Sequence, residues 1–141
     1  MTIDEIQEIR EFNRFYTSII GLLNNHILES PYSLPEARVI YELFNRQHCT
    51  ATEIIEITKI DKGYLSRILL SFKKSGLLAK KKSKKDSRAT LLTLTAKGES
   101  EFTNINTASI EQVRALFSKL SSTEIQEVIH HMKELKRILS R

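Results

Sequence analysis

The sequence predicts a mainly α-helical fold that carries one small β-hairpin. Four capping-box signatures, each a Ser or Thr followed three residues later by Glu, precede apolar residues at helical spacing and begin at Thr2, Ser33, Thr50 and Ser121. After Gly76 the apolar residues change from helical to alternating spacing. This change predicts two strands between the helices.

The first 58 residues predict three helices. The first runs from about Ile3 to Leu28 and ends before Pro31, because proline disfavours continuation of a helix. The second begins near Leu34 with proline in its first turn, where a missing amide costs nothing, and the third spans 51–58. The side chains expected to face the core are Val39, Ile40, Leu43 and Phe44 on the second helix and Ile54, Ile55 and Ile57 on the third.

A fourth helix is predicted between an Asp61 N-cap and Gly76. Its inward stripe at three- and four-residue steps is Leu65, Ile68, Leu69 and Phe72. The hairpin follows, with strands over about 77–82 and 89–95 around a polar turn. Thr95 is placed to cap a fifth helix over about 96–119, and a sixth follows Ser121.

Length, cysteine content and hydropathy predict one reduced, cytoplasmic domain over 1–141. The lone Cys49 has no disulfide partner, and no uninterrupted apolar run is long enough to cross a membrane. A central lobe over 34–97 lies between helical regions at 1–30 and 98–141. The long helices of these regions carry more apolar side chains than the small central core can bury, so they predict a homodimer.

Positive charge is concentrated between Lys59 and Lys97. This segment holds 12 of the 22 Lys and Arg residues but only 2 of the 17 acidic ones, so its net charge is +10 and that of the remainder is −5. Such asymmetry favours a polyanionic partner, with nucleic acid ahead of a membrane. The alternative is a solvated basic surface without a ligand.

Two short helices joined by a tight turn and followed by a basic hairpin predict a winged helix-turn-helix that binds double-stranded DNA. The second helix of such a unit enters the major groove, while the preceding helix terminus and the hairpin hold phosphates. Neighbouring hairpin lysines face opposite sides, so only some of them can reach phosphate. The candidate DNA-binding residues are Thr50, Thr52, Lys62, Tyr64, Ser66, Arg67, Ser71, Lys74, Lys82, Lys84 and Lys85.

Five segments resemble the multiple-antibiotic-resistance regulator (MarR) family: Leu34-Pro-Glu-Ala-Arg-Val-Ile-Tyr-Glu-Leu43, Asp61-Lys-Gly-Tyr-Leu-Ser-Arg-Ile-Leu69, Lys74-Ser-Gly-Leu-Leu78, Asp86-Ser-Arg88 and Leu92-Thr-Leu-Thr-Ala-Lys-Gly98. The resemblance implies a homodimer on a palindromic operator, often released by a small aromatic effector. It matches Ser66 and Arg67 to recognition-helix positions. Arg88 matches the wing arginine that enters the minor groove, and Asp86 matches the acid that braces it.

The expected function is therefore a sequence-specific, DNA-binding transcriptional regulator, a ligand-responsive repressor. The segments 12–16 and 61–67 most resemble the regulator half of proteins fused to a GNAT-type acetyltransferase. One alternative is accordingly a non-catalytic interaction module, accessory to an acetyltransferase, with only loose DNA affinity. A sequence-blind architectural DNA binder is a third reading. An effector pocket is predicted beside His26, Tyr32 and Arg38.

The sequence gives little indication of catalysis, metal binding or redox chemistry. Phosphate-binding and nucleotide-binding glycine patterns and a nucleophile elbow are missing from the sequence, so we expect no enzyme activity and no cofactor. His130 and His131 point about 100° apart on a helix, and Glu127 adds only a weak ligand pair, so no metal site is predicted. Cys49 lies beside the Thr50 cap, which is consistent with a redox-sensitive thiol or with a small buried one.

Overall fold

The computed structural model describes residues 1–27, 30–83 and 88–140, without the side chains of 20–27. Two compact units are distinguished, Met1–Ser109 and Ile110–Arg141. The helices and strands are α1 (Ile3–Ile27), α2 (Leu34–Arg46), α3 (Ala51–Thr58), α4 (Lys62–Lys74), β1 (Leu78–Lys82), β2 (Thr90–Leu94), α5 (Ala96–Leu116) and α6 (Ser122–Leu139). The predicted fold class is confirmed.

Capping boxes set the start of several helices. At α3, the Glu53 carboxylate accepts the Thr50 backbone N–H at 2.6 Å, and Glu53 N–H donates to Thr50 Oγ1 at 3.3 Å. Ser121 and Glu124 form the same reciprocal pair at α6. Hydrogen bonds from the capping residue stabilise the ionised carboxylate and lower the pKa of both Glu53 and Glu124.

The core of the first unit lies where α2, α3 and α4 meet the hairpin. Its buried side chains are Val39, Ile40, Leu43, Cys49, Ile54, Leu65, Ile68, Leu69, Phe72, Leu77, Leu78, Leu92 and Leu94. The predicted inward stripe of α4 is confirmed in full. Phe44 was predicted to point inward, which is wrong: it is 38% exposed and stacks on Phe102 with ring centroids 3.8 Å apart.

The predicted end of the fifth helix at 119 is also wrong, because α5 ends at Leu116. Beyond it the backbone tightens, with Ser118 N–H donating to Ala115 O and Leu120 N–H to Phe117 O, both three residues back. This tight turn delivers the chain to the Ser121 cap of α6.

The hairpin is antiparallel, with Leu78 opposite Leu94 and Lys82 opposite Thr90. It has an additional bridge that the sequence did not predict. Cys49 N–H donates to Leu92 O at 3.3 Å, and Leu92 N–H donates to Cys49 O at 2.7 Å. The residue before the α3 cap is thereby attached to the hairpin. None of the described helices is long and apolar enough to cross a membrane.

Candidate nucleic-acid interface

Helix α4 presents opposite chemistry on its two sides. Its buried stripe holds it against the core, so its outer side chains are exposed to solvent. The exposed side carries Ser66, Arg67, Leu70, Ser71 and Lys74. An open depression runs along it, lined by four of these residues and Ser75. Hydrogen-bond donors and positive charge therefore occupy the side of α4 that is free to enter a groove.

The start of α4 is set by Asp61. Its carboxylate accepts the Tyr64 backbone N–H at 2.9 Å, as an N-cap does, and its backbone carbonyl accepts Leu65 N–H at 2.8 Å. Lys62 lies exposed in the first turn. The predicted N-cap is confirmed.

Tyr64 and Arg67 are neighbours one turn apart on α4. The Arg67 guanidinium carbon lies 5.5 Å from the centre of the Tyr64 ring, within the range of a cation–π contact. Tyr64 is half-buried and packs against the core, whereas Arg67 is exposed. The tyrosine therefore belongs partly to the core and partly to the surface.

The end of α4 is fastened to the start of α5. The Lys97 ammonium donates to Ser75 O at 2.9 Å, and the Thr95 hydroxyl donates to Gly76 O at 2.6 Å while accepting Gly98 N–H at 3.1 Å. A Cβ on Gly98 would collide with the carbonyl oxygen of Leu77. These contacts explain physically why Thr and Gly stand at this spacing after the hairpin. Composition and periodicity did not reveal them, and only the motif over 92–98 marked the segment.

At the N-terminus of α3, the two predicted threonines differ. The Thr50 hydroxyl is engaged in the cap, donating to the Glu53 carboxylate at 3.0 Å and accepting Glu53 N–H. Thr52 is exposed and lies outside the cap. Of the two, Thr52 therefore has the hydroxyl that is available to an outside ligand.

The hairpin carries the second part of the basic surface. Lys80, Lys81 and Lys82 are exposed on β1, and Arg88 is exposed just before β2. The strands are closed by Ser83 N–H donating to Ala89 O at 3.0 Å. The predicted contacts Lys84 and Lys85 and the predicted brace Asp86 lie outside the described residues.

Acidic side chains do not neutralise the positive charge of α4 and β1 in the described structure. Among the described lysines and arginines of 59–83, none forms an ion pair with an acidic side chain. The ion pairs elsewhere are short-range ones on helices, such as Arg137 with Glu134 at 2.8 Å. On α4 and β1, an external polyanion would therefore meet described cations that have no competing acidic partner.

Of the three residues predicted to border an effector pocket, the structure describes the side chains of Tyr32 and Arg38. Tyr32 is half-buried, packs edge-on against Phe72 with centroids 6.1 Å apart, and interacts electrostatically with the Glu101 carboxylate. Burial and the Glu101 carboxylate raise the pKa of Tyr32. Arg38 is exposed, and the side chain of His26 lies outside the described residues.

Cys49 is 2% exposed, and burial together with nearby Glu53 raises its thiol pKa. A buried, protonated thiol is a poor nucleophile, so the small buried thiol is the better of the two earlier interpretations. Among the described residues, no three His, Cys, Asp or Glu side chains are grouped so that they could hold a metal ion.

A helix-turn-helix whose second helix exposes a basic side, followed by a two-stranded wing, defines the winged-helix class of folds. Residues 30–89 match the MarR family model. The HTH-type transcriptional regulator BilQ of Clostridium symbiosum (strain WAL-14163) is 27% identical over 97 residues, which cover 69% of this chain and 67% of BilQ.

Solved structures extend the likeness to nearly the whole chain. A MarR mutant from E. coli in complex with operator DNA has a TM-score of 0.77 at 18% identity and covers 94% of this chain and 95% of its own. BpsR of Bordetella bronchiseptica, whose DNA binding is regulated by 6-hydroxynicotinic acid, has a TM-score of 0.75 at 19% identity and covers 90% and 91%. This chain therefore has the fold of these solved structures, and the match to the MarR family model lies within its winged helix.

Proposed function

We propose that this chain is a sequence-specific transcriptional regulator that binds double-stranded DNA as a homodimer and acts as a repressor. The observation that carries the proposal is the outer side of α4, where Ser66, Arg67, Ser71 and Lys74 are exposed without an acidic partner. A protruding helix of this composition fits the major groove, whose base edges present hydrogen-bond acceptors and donors in a sequence-dependent pattern. Operator binding also implies a cytoplasmic location.

In this function the two basic elements have separate roles. Helix α4 reads base edges, mainly through Arg67 and Ser66, while Lys62, Lys74 and Thr52 hold phosphates. The wing adds Lys82, Lys84, Lys85 and Arg88 as contacts to the backbone and minor groove, with Asp86 bracing the arginine. Phosphate contacts position a protein on DNA, and base contacts supply its sequence preference.

Dimerisation is supported by apolar side chains that the single chain leaves exposed. In the unit 110–141 these are Ile110, Val113, Ile129, Met132, Leu135, Ile138 and Leu139, and on α1 they are Ile3, Ile6, Ile9, Phe12 and Phe15. Large contiguous apolar surfaces of this kind mark protein interfaces. A two-fold dimer would present two copies of α4 to major grooves roughly 34 Å apart, which accounts for a palindromic operator.

A small aromatic effector is proposed to regulate binding near Tyr32, Arg38 and His26. Tyr32 connects the segment before α2 with Phe72 of α4 and with Glu101 of α5, so a ligand there would act on the placement of the recognition helix. The 6-hydroxynicotinic acid named for BpsR is the first compound to test. We expect it to reduce operator affinity of the wild type, with a weaker response in Tyr32→Ala.

The deciding experiment is selection of bound duplexes from a random library by the full chain, followed by affinity measurement across salt concentrations. A regulator should enrich one inverted repeat and bind it about 10³-fold or more tightly than random duplex. Equal affinity for all sequences with a regular footprint would instead indicate an architectural binder. Weak, sequence-independent association would favour the interaction module suggested by the acetyltransferase-fusion resemblance.

A further inference from the structure

We infer that Tyr64 is a positioning residue for Arg67: its ring is a platform that holds the guanidinium in the orientation that reads a guanine. The inference rests on the proposed DNA-binding function and deepens it by assigning one base and one supporting side chain. It differs from the sequence-based expectation that Tyr64 itself contacts DNA.

The Tyr64 ring is anchored on the side that faces the core. Tyr64 is half-buried and packs against the core, and its backbone N–H is held by the Asp61 carboxylate at 2.9 Å. A ring anchored in this way loses little further freedom when a ligand binds. Its exposed side therefore provides a firm surface at a set position on α4.

The guanidinium is held by that ring and by no acidic group in the described structure. Arg67 lies 5.5 Å from the ring centre, and no described carboxylate forms an ion pair with it. Arginine stacks on the negative face of an aromatic ring while its N–H donors stay in the guanidinium plane. Stacking thus restricts the orientation of the guanidinium without consuming its donors.

The chemistry points to guanine. In the major groove, guanine presents the N7 and O6 acceptors side by side, and a bidentate arginine is the commonest specific contact to them. A free arginine side chain must be ordered on binding, whereas a stacked one is already restricted. Removing the ring should therefore weaken guanine discrimination more than it weakens binding to other sequences.

The test uses the inverted repeat selected by the full chain, with each guanine replaced in turn by 7-deazaguanine, which lacks the N7 acceptor. The position at which wild type discriminates and Arg67→Ala does not is the guanine read by Arg67. The discrimination ratio is the affinity for the duplex with guanine at that position divided by the affinity for the duplex with 7-deazaguanine there. Tyr64→Leu should reduce this ratio by about 2- to 5-fold. Tyr64→Phe should keep it, and Tyr64→Leu added to Arg67→Ala should change it no further.

Two further variants separate the effect of the ring's negative face from effects on packing and folding. A ring-fluorinated phenylalanine at position 64 preserves shape and packing but weakens the negative face of the ring, so the ratio should fall relative to Tyr64→Phe without loss of folding. Tyr41→Leu makes the same exchange at an exposed tyrosine of α2, outside the candidate DNA-binding surface, and should leave the ratio unchanged.

Specific outcomes overturn the inference. They are an unchanged ratio in both Tyr64→Leu and the fluorinated variant, an equal loss of the ratio in Tyr41→Leu, or a loss of the ratio in Tyr64→Phe, which would assign the discrimination to the hydroxyl instead of the ring. If every guanine is discriminated equally by wild type and Arg67→Ala, the assignment to guanine is wrong. If selection enriches no sequence at all, the proposed function fails together with this inference.

Discussion

Arg67 and Lys82 are both exposed cations of the same lobe, yet their surroundings predict different roles. Arg67 lies on the exposed side of α4 near an aromatic ring, whereas Lys82 is the last residue of β1 in the hairpin. A planar fork of donors distinguishes bases, and an ammonium on a flexible stem serves as a point charge for phosphate.

We therefore expect Arg67→Ala to relax base preference, costing about 1–3 kcal/mol on the selected repeat and less on random duplex. Lys82→Ala should weaken all sequences evenly and reduce the slope of log affinity against log salt by about one. Fluorescence anisotropy on both duplexes at several salt concentrations measures the difference. Identical effects of the two substitutions would contradict this division of roles.

Glu53 makes stability depend on pH in a definite direction. Its pKa in the folded chain is lowered by hydrogen bonds from Thr50, so its ionised cap stabilises the fold above the ordinary glutamate pKa of 4.5, and that contribution is lost as the pH falls through the lower folded value. Glu53→Gln should therefore lower the free energy of unfolding near neutral pH and flatten its decline in acid. Urea unfolding at several pH values tests this, with Glu56→Gln on the same helix as control.

At the scale of elements, α4 is positioned from both ends. Asp61 caps its first turn, and Lys97 and Thr95 bind the carbonyls of Ser75 and Gly76 that follow its last turn. The bridge between Cys49 and Leu92 joins the start of α3 to the same hairpin. Helix α4, the hairpin and the start of α5 are thereby held together, as the proposed reading of a DNA groove by α4 would require.

Gly98→Ala tests the fastening of α4 to α5. The added Cβ would clash with the Leu77 carbonyl oxygen and lie 3.0 Å from a methyl group of Leu94, so backbone must move. We expect a loss of about 1–3 kcal/mol in unfolding free energy, as for other overpacking substitutions, with weaker DNA binding. Ser100→Ala, on the exposed side of the same helix, should be neutral or slightly stabilising. An unchanged Gly98→Ala variant would show that the contact is not restrictive.

At the scale of the whole molecule, the exposed apolar side chains on α1 and in the unit 110–141 support the proposed dimer. Leu135 is 43% exposed and Ile138 is 50% exposed on α6. Such side chains lower the free energy of association when a second copy covers them. In the proposed dimer, DNA affinity would depend on dimerisation, because one lobe would make only half of the contacts.

Replacing Leu135 and Ile138 together by Ala should yield monomers that bind the selected repeat poorly. Sedimentation velocity measures the assembly state, and anisotropy measures binding. The matched control replaces the exposed Lys133 and Lys136 of the same helix. A double Leu135/Ile138 variant that remains dimeric would place the interface elsewhere.

Much of the fold was predictable because its signals are local. A capping box spans four residues, so the starts of α2, α3 and α6 could be read directly, and the Asp61 N-cap marked the start of α4. An inward stripe repeats every three or four residues, so the buried side of α4 could be read in the same way. The candidate DNA-binding side of α4 follows from the same periodicity. Its assignment to individual residues remains a prediction.

The sequence by itself determined the order of the helices, the hairpin between them and the concentration of positive charge on one lobe. Only the tertiary structure decided that Phe44 stacks on Phe102, that Cys49 bridges Leu92 and that Lys97 holds the end of α4. The reason is physical: helix propensity and capping act within one or two turns, whereas these contacts join residues 22 or more positions apart and form only when the packed core brings them together.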